Sequence, residues 1–143
     1  MTIKKTREEV NFFHNSALIY RQNNNKKSKF NYALGVLLNR QTEKIQKTTK
    51  EKIEDINTEH AAVDRDGVLL RDGDNYKYTK DEAKKRLQKI RQVWKEEVEI
   101  EPYYATDVPQ DLTLSEIDAF TDFVLRRDAE DLEEESEAEK VSD

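Results

Sequence analysis

The sequence has no cysteine, three glycines, two prolines and no long apolar run. Without cysteine there is no disulfide, no Cys-containing zinc finger, no iron–sulfur cluster and no thiol nucleophile, so packing alone must hold the fold, as suits a reducing cytosol. Glycine occurs only at Gly35, Gly67 and Gly73, which leaves neither a G-x-G-x-x-G fingerprint nor a Walker loop and argues against nucleotide enzymology. The longest apolar run, 33–38, is far shorter than the ~20 residues of a membrane span, so no membrane partner is expected. Asn11, His14 and Asn15 interrupt Phe12 and Phe13 near the N-terminus, and no secretion signal is visible.

What the chain has in quantity is charge. Of its 143 residues, 39% are charged and 35% hydrophobic, enough for one modest core. Residues 1–125 hold 22 basic and 22 acidic side chains, while 126–143 hold three basic and nine acidic, so the net charge of −6 resides in the final segment. Residues 1–60 are mildly basic, with twelve Lys or Arg against seven Asp or Glu. The expected organisation is a single mainly helical domain over 1–125 and an acidic tail over 126–143, whose composition cannot bury a face.

Three sequences read as capping boxes, in which a threonine hydroxyl and a glutamate three residues later satisfy each other's backbone N–H: Thr6 with Glu9, Thr79 with Glu82, and Thr113 with Glu116. After the first, Val10, Phe13, Ala17 and Tyr20 make one apolar stripe, and the helix is expected to end near Gln22. A polar connector leads to Ser28, which can cap a long helix over about 29–62. Its stripe, Phe30, Leu34, Leu37, Leu38, Gln41, Ile45, Thr48, Ile53, Ile56 and His60, thins beyond Arg40 to a seam that suits a two-helix arm or a coiled-coil contact.

Two aspartate-glycine turns, around Gly67 and Gly73, bracket Val68, Leu69 and Leu70, and Tyr76 and Tyr78 follow, which predicts a small β-hairpin. From Thr79, Ala83, Leu87, Ile90, Val93, Trp94 and Val98 share one face of a returning helix. The chain then runs extended to Pro109, and a last helix carries Ile117, Phe120, Val124 and Leu125. The fold class is therefore mainly α: a helical hairpin with a small β-hairpin at its tip, flanked by N- and C-terminal helices.

Candidate chemistry is sparse. Asp64, Asp66, Asp72 and Asp74 are the residue types a hard cation needs, but Gly67 follows Asp66 directly and Asn75 stands at the twelfth place, so the EF-hand spacing is not met. Aspartates that form turns beside glycine are the ordinary explanation. His14 and His60 read as surface histidines on helices, without an H-E-x-x-H or G-x-S-x-G companion. The stretch Lys26, Lys27 and Lys29 with Phe30, Tyr32 and Arg40 could touch phosphates, yet the positive excess is below that of a dedicated nucleic-acid binder. Ile45, Ile53 and Ile56 on the thin seam, with Tyr103 and Tyr104 on an irregular segment, are the candidate partner-binding residues. The acidic tail is open to three readings: solubilising, mimicking phosphate charge, or covering the basic N-terminal half.

The order of these elements resembles a group of small uncharacterised phage proteins over 31–104: a charged helix beginning Asn31-Tyr-Ala-Leu34, the turn Asp64-Arg-Asp-Gly67, Tyr76-Lys-Tyr78, a second helix and Glu96-Glu-Val-Glu-Ile100. The resemblance implies a phage-encoded accessory protein in the host cytoplasm or the virion, and carries over no activity and no site residues. The expectation is a non-enzymatic protein without cofactor, acting on a protein partner or on its own copies. A virion structural or assembly component is the alternative, and a small metal-dependent enzyme using the four aspartates ranks behind both.

Overall fold

The computed structural model describes residues 1–127. The chain is mainly α, in the order β1 (Ile3–Thr6), α1 (Arg7–Asn23), α2 (Lys29–Leu37), a π turn (Leu38–Thr42), α3 (Glu43–His60), β2 (Arg71–Asp72), β3 (Asn75–Tyr76), α4 (Lys80–Lys95), β4 (Glu97–Ile100) and α5 (Leu114–Phe120). The helical hairpin is present: α2, the π turn and α3 run out, β2 and β3 form the tip, and α4 returns along α3. Among the described residues no helix is long and apolar enough to cross a membrane. Most of the acidic tail expected over 126–143 lies outside the described residues. Its first two members belong to the body, with the Arg126 guanidinium 4.4 Å over the Tyr104 ring and Arg127 paired to Asp122.

Local signals set most helix starts. Thr6 and Thr113 each make both arms of the capping box, a contribution of ~1 kcal/mol apiece. Thr79 makes one arm: its hydroxyl accepts from the Glu82 N–H, but the Glu82 carboxylate is bonded to His60 instead of reaching back. Ser28 accepts from the Asn31 N–H and starts α2.

The core joins α1, α2 and the C-terminal segment. Phe13 stacks on Phe123 with centroids 4.4 Å apart and meets Phe120 edge-on, and Tyr20, Phe30 and Phe120 form a mutual edge-to-face triangle. Ala17, Ala33, Leu34, Leu37 and Ile100 fill the space between. Each fully buried large side chain contributes about 1.5–3 kcal/mol.

Three features depart from the sequence reading. β1 pairs antiparallel with β4, Ile3 opposite Ile100 and Thr6 opposite Glu97, where the sequence pattern marks no strand before the first helix. The long helix takes a π turn at Leu38–Thr42, whose extra residue shifts the inner stripe by one place, and Thr42 and Thr49 are buried where Gln41 and Thr48 were expected. The last helix stops at Phe120, because Asp122 adopts a left-handed backbone (φ 72°) and turns the chain, delivering Phe123, Val124 and Leu125 to the core without helix.

Candidate partner-binding surface

Along the α1–α3 interface, polar side chains meet in antiparallel register. Arg7 Nη1 donates to Thr49 Oγ1 at 2.9 Å, Gln46 donates to Asn11 at 2.7 Å, and His14 Nδ1 lies 2.8 Å from Thr42 Oγ1 at the π turn. This register places 50–60 beyond the start of α1, where α4 runs alongside, and so defines the arm. At its foot the buried Arg7 guanidinium also meets Glu96 at 3.1 Å, and Lys52 approaches the same carboxylate at 3.3 Å.

The arm is cross-linked by side chains. Arg86 donates to Asn57 at 2.6 Å, Lys89 to Glu59 at 2.8 Å, and His60 Nδ1 bonds to Glu82 Oε2. His60 is buried, contrary to the surface placement expected, and its Nε2 has no hydrogen-bond partner among the described residues, the Glu59 carboxylate standing 4.0 Å away. A hollow of about 520 Å³ lies beside it, lined by Glu59, Glu82, Lys85 and three glutamine or lysine side chains, with no hydroxyl among them. The pair therefore serves as a tie between α3 and α4.

Ile45 packs on the core, and Ile53 and Ile56 are half-buried. Ile53 is one helical turn from Thr49 and from Asn57, and Ile56 one turn from His60, so both share the flank that α4 covers. The seam expected to seek an external partner is thus covered by the protein's own returning helix. The four aspartates do not converge. Asp64 closes a turn by accepting from the N–H groups of Asp66 and Val68, Asp72 pairs with Asn75 across the hairpin, and Asp66 and Asp74 are exposed. Among the described residues no three His, Asp or Glu side chains gather in a metal-holding group.

The candidate surface lies instead at the α1–α2 corner. A cleft of about 830 Å³ is lined by Leu18, Arg21, Lys26, Lys27, Lys29 and Tyr32, together with four Asn, Gln and Ser side chains. Among the described residues no acidic side chain lines it. A smaller hollow of about 290 Å³ continues it past Arg21 and Tyr32 to Arg40. Arg21, Lys26, Lys27 and Arg40 have no carboxylate partner among the described residues, and Lys29 meets Asp107 at 3.7 Å with both side chains largely exposed.

The cleft is held open by its own backbone contacts. Asn31 Nδ2 donates to the carbonyls of Asn24 and Lys26 at 2.6 Å each, fixing the connector that displays Lys26 and Lys27. The Arg21 guanidinium lies over Gly35, where a Cβ would stand 3.2 Å from Nη1. Tyr32 is 60% exposed, and its ring meets that of Tyr103 at 6.0 Å, edge to face. Tyr103, 40% exposed, therefore extends the same surface, while Tyr104 turns away beneath Arg126.

Of the basic stretch read from the sequence, Phe30 belongs to the core and Tyr32 to the surface. Leu18 and Arg21 stand off the apolar stripe of α1, so the sequence pattern does not mark them. The spacing Tyr32, Val36, Asn39 and Arg40 on the outer side of the long helix is the signal that could have found this face. Comparison with protein-family models, with curated proteins and with solved structures gives no match for this chain.

Proposed function

We propose that the protein is a non-enzymatic accessory protein that works by binding another protein, and that the cleft at the α1–α2 corner takes an acidic segment of that partner. The observation that carries this reading is the gathering of Arg21, Lys26, Lys27, Lys29 and Arg40 around exposed Tyr32 and Leu18, with no acidic side chain in the lining among the described residues. Cations around an aromatic and aliphatic floor, all but Lys29 without a carboxylate partner among the described residues, give an acidic peptide both electrostatic steering and an apolar anchor. The setting, a phage-encoded accessory protein, rests on the resemblance in sequence.

The paired variant Arg21→Glu with Lys27→Glu tests it, because both side chains are exposed and the fold should persist by circular dichroism. Quantitative mass spectrometry of proteins retained by wild type and variant is the readout. A partner lost with the variant, whose acidic segment binds wild type as a synthetic peptide, supports the proposal. Identical retention by both contradicts it.

A further inference from the structure

The occupant of this cleft in the isolated protein is open to inference from the chain itself. Residues 128–143 hold nine acidic side chains and one lysine, with Leu132 set between Asp131 and Glu133, whereas 1–127 hold 24 basic against 22 acidic. We infer that residues 128–143 dock in the Arg21–Tyr32 cleft of the same molecule and must be displaced before an acidic partner can enter. This rests on the reading of the cleft as an acidic-segment site.

Three observations support it. The first is charge: among the described residues the cleft gathers five cations, only Lys29 of them meeting a carboxylate, and no carboxylate lines it, while the segment is the one strongly acidic stretch of the chain.

The second is position. The Tyr103 N–H donates to Phe123 O and the Ala105 N–H to Val124 O at 2.9 Å, so the last described residues run alongside 103–105. Tyr103 in turn touches Tyr32 on the cleft wall. The last described residues, Arg126 and Arg127, meet Tyr104 and Asp122 respectively, Tyr104 being one residue along from the Tyr103 that touches the cleft wall, and sixteen further residues reach up to about 50 Å.

The third is shape. A floor of Leu18, Tyr32 and the aliphatic stems of lysine and arginine suits a single leucine between carboxylates, as Leu132 is placed. Tethering raises the effective concentration to the order of millimolar, so a weak contact fills the cleft. Such a contact is governed by screening, with a Debye length of about 10 Å at 0.1 M salt and about 3 Å at 1 M.

The absence of cysteine allows a clean test. A nitroxide attached through Ser136→Cys in the full chain should broaden amide signals of 18–32 and of Arg40 at low salt. Broadening should disappear in high salt and in the Arg21→Glu, Lys27→Glu background. Broadening elsewhere, or none, overturns the inference. Broadening of an isotope-labelled, nitroxide-free chain mixed with nitroxide-bearing chains of ordinary isotope content would assign the contact to a second copy, and equally overturns it.

An added oligoglutamate peptide separates this failure from failure of the underlying reading. If the peptide shifts the cleft signals while the label leaves them untouched, the docking is wrong and the acidic-segment site stands. If neither acts, both are wrong. An oligonucleotide that shifts the same signals where oligoglutamate does not would replace the protein reading with a nucleic-acid one.

Discussion

Arg7 and Glu96 meet at the foot of the arm, where a buried guanidinium finds a carboxylate 3.1 Å away. The hydrogen bond from Arg7 is the foremost influence holding the Glu96 carboxyl below its usual range; burial opposes it, and Lys52 adds to the lowering. Glu96 itself is partly exposed, so solvent screens the pair. Glu96→Gln leaves the guanidinium without a counter-charge while keeping an acceptor, and is expected to cost about 0.5–1 kcal/mol in urea denaturation. Because the folded-state pKa is depressed, that contribution is present above the ordinary value of 4.5 and lost as pH falls through the folded value. Wild type and Glu96→Gln should therefore converge in acid.

His14 gives a second pH signature with a different window. Burial lowers its pKa below the ordinary 6.5, Glu43 opposes this and Lys50 adds to it. The unfolded chain then takes up the proton first as pH falls, so stability is complete above 6.5 and declines below it toward the folded value. In His14→Gln, melting temperature should vary less between neutral and mildly acidic pH than in wild type. An unchanged profile would show that the Thr42 contact leaves the histidine freely solvated.

Asp122 couples a backbone constraint to two ion pairs. Burial pushes its pKa up, but the hydrogen bonds and charges of Lys5, 3.0 Å away, and of Arg127 outweigh this and hold it low. Alanine and glycine both remove the carboxylate, and only alanine adds the left-handed backbone penalty. Asp122→Ala should be less stable than Asp122→Gly by about 1–2 kcal/mol. Equal stabilities would mean that the turn relaxes out of its positive φ.

Gly35 separates stability from binding. Its missing Cβ leaves room for the Arg21 guanidinium, a flexible group that can move aside. Gly35→Ala is expected to keep or raise helix stability, by up to about 0.5–1 kcal/mol, while weakening binding of an acidic peptide by displacing Arg21. Loss of folding, or unchanged binding, would show that Arg21 is not seated as described.

The legible parts of this fold were the local ones. Thr6, Ser28 and Thr113 cap as read because a cap involves only the next three or four residues. The arm was legible too, since Gly67 and Gly73 mark its tip with positive φ. What escaped depends on distant partners. Ile3, Lys4, Lys5 and Thr6 hold one apolar residue in four and become a strand only because β4 supplies the facing edge. Arg7, Asn11 and His14 look like a solvated helix side until Thr49, Gln46 and Thr42 arrive opposite. The cleft needed Arg21, Arg40 and Tyr103 brought around Tyr32, which no linear spacing announces.

The central claim is that the α1–α2 cleft binds acidic peptide. Its most direct measurement is a backbone-amide NMR titration of the full chain, with Glu133, Glu134, Glu135 and Glu137 replaced by Gln to reduce competition from its own acidic segment, using oligoglutamate as the probe. Saturable shifts confined to 18–32 and Arg40, weakened by salt and lost with Arg21→Glu and Lys27→Glu, are expected. Shifts that ignore those substitutions, or no shifts at low salt, would contradict the claim.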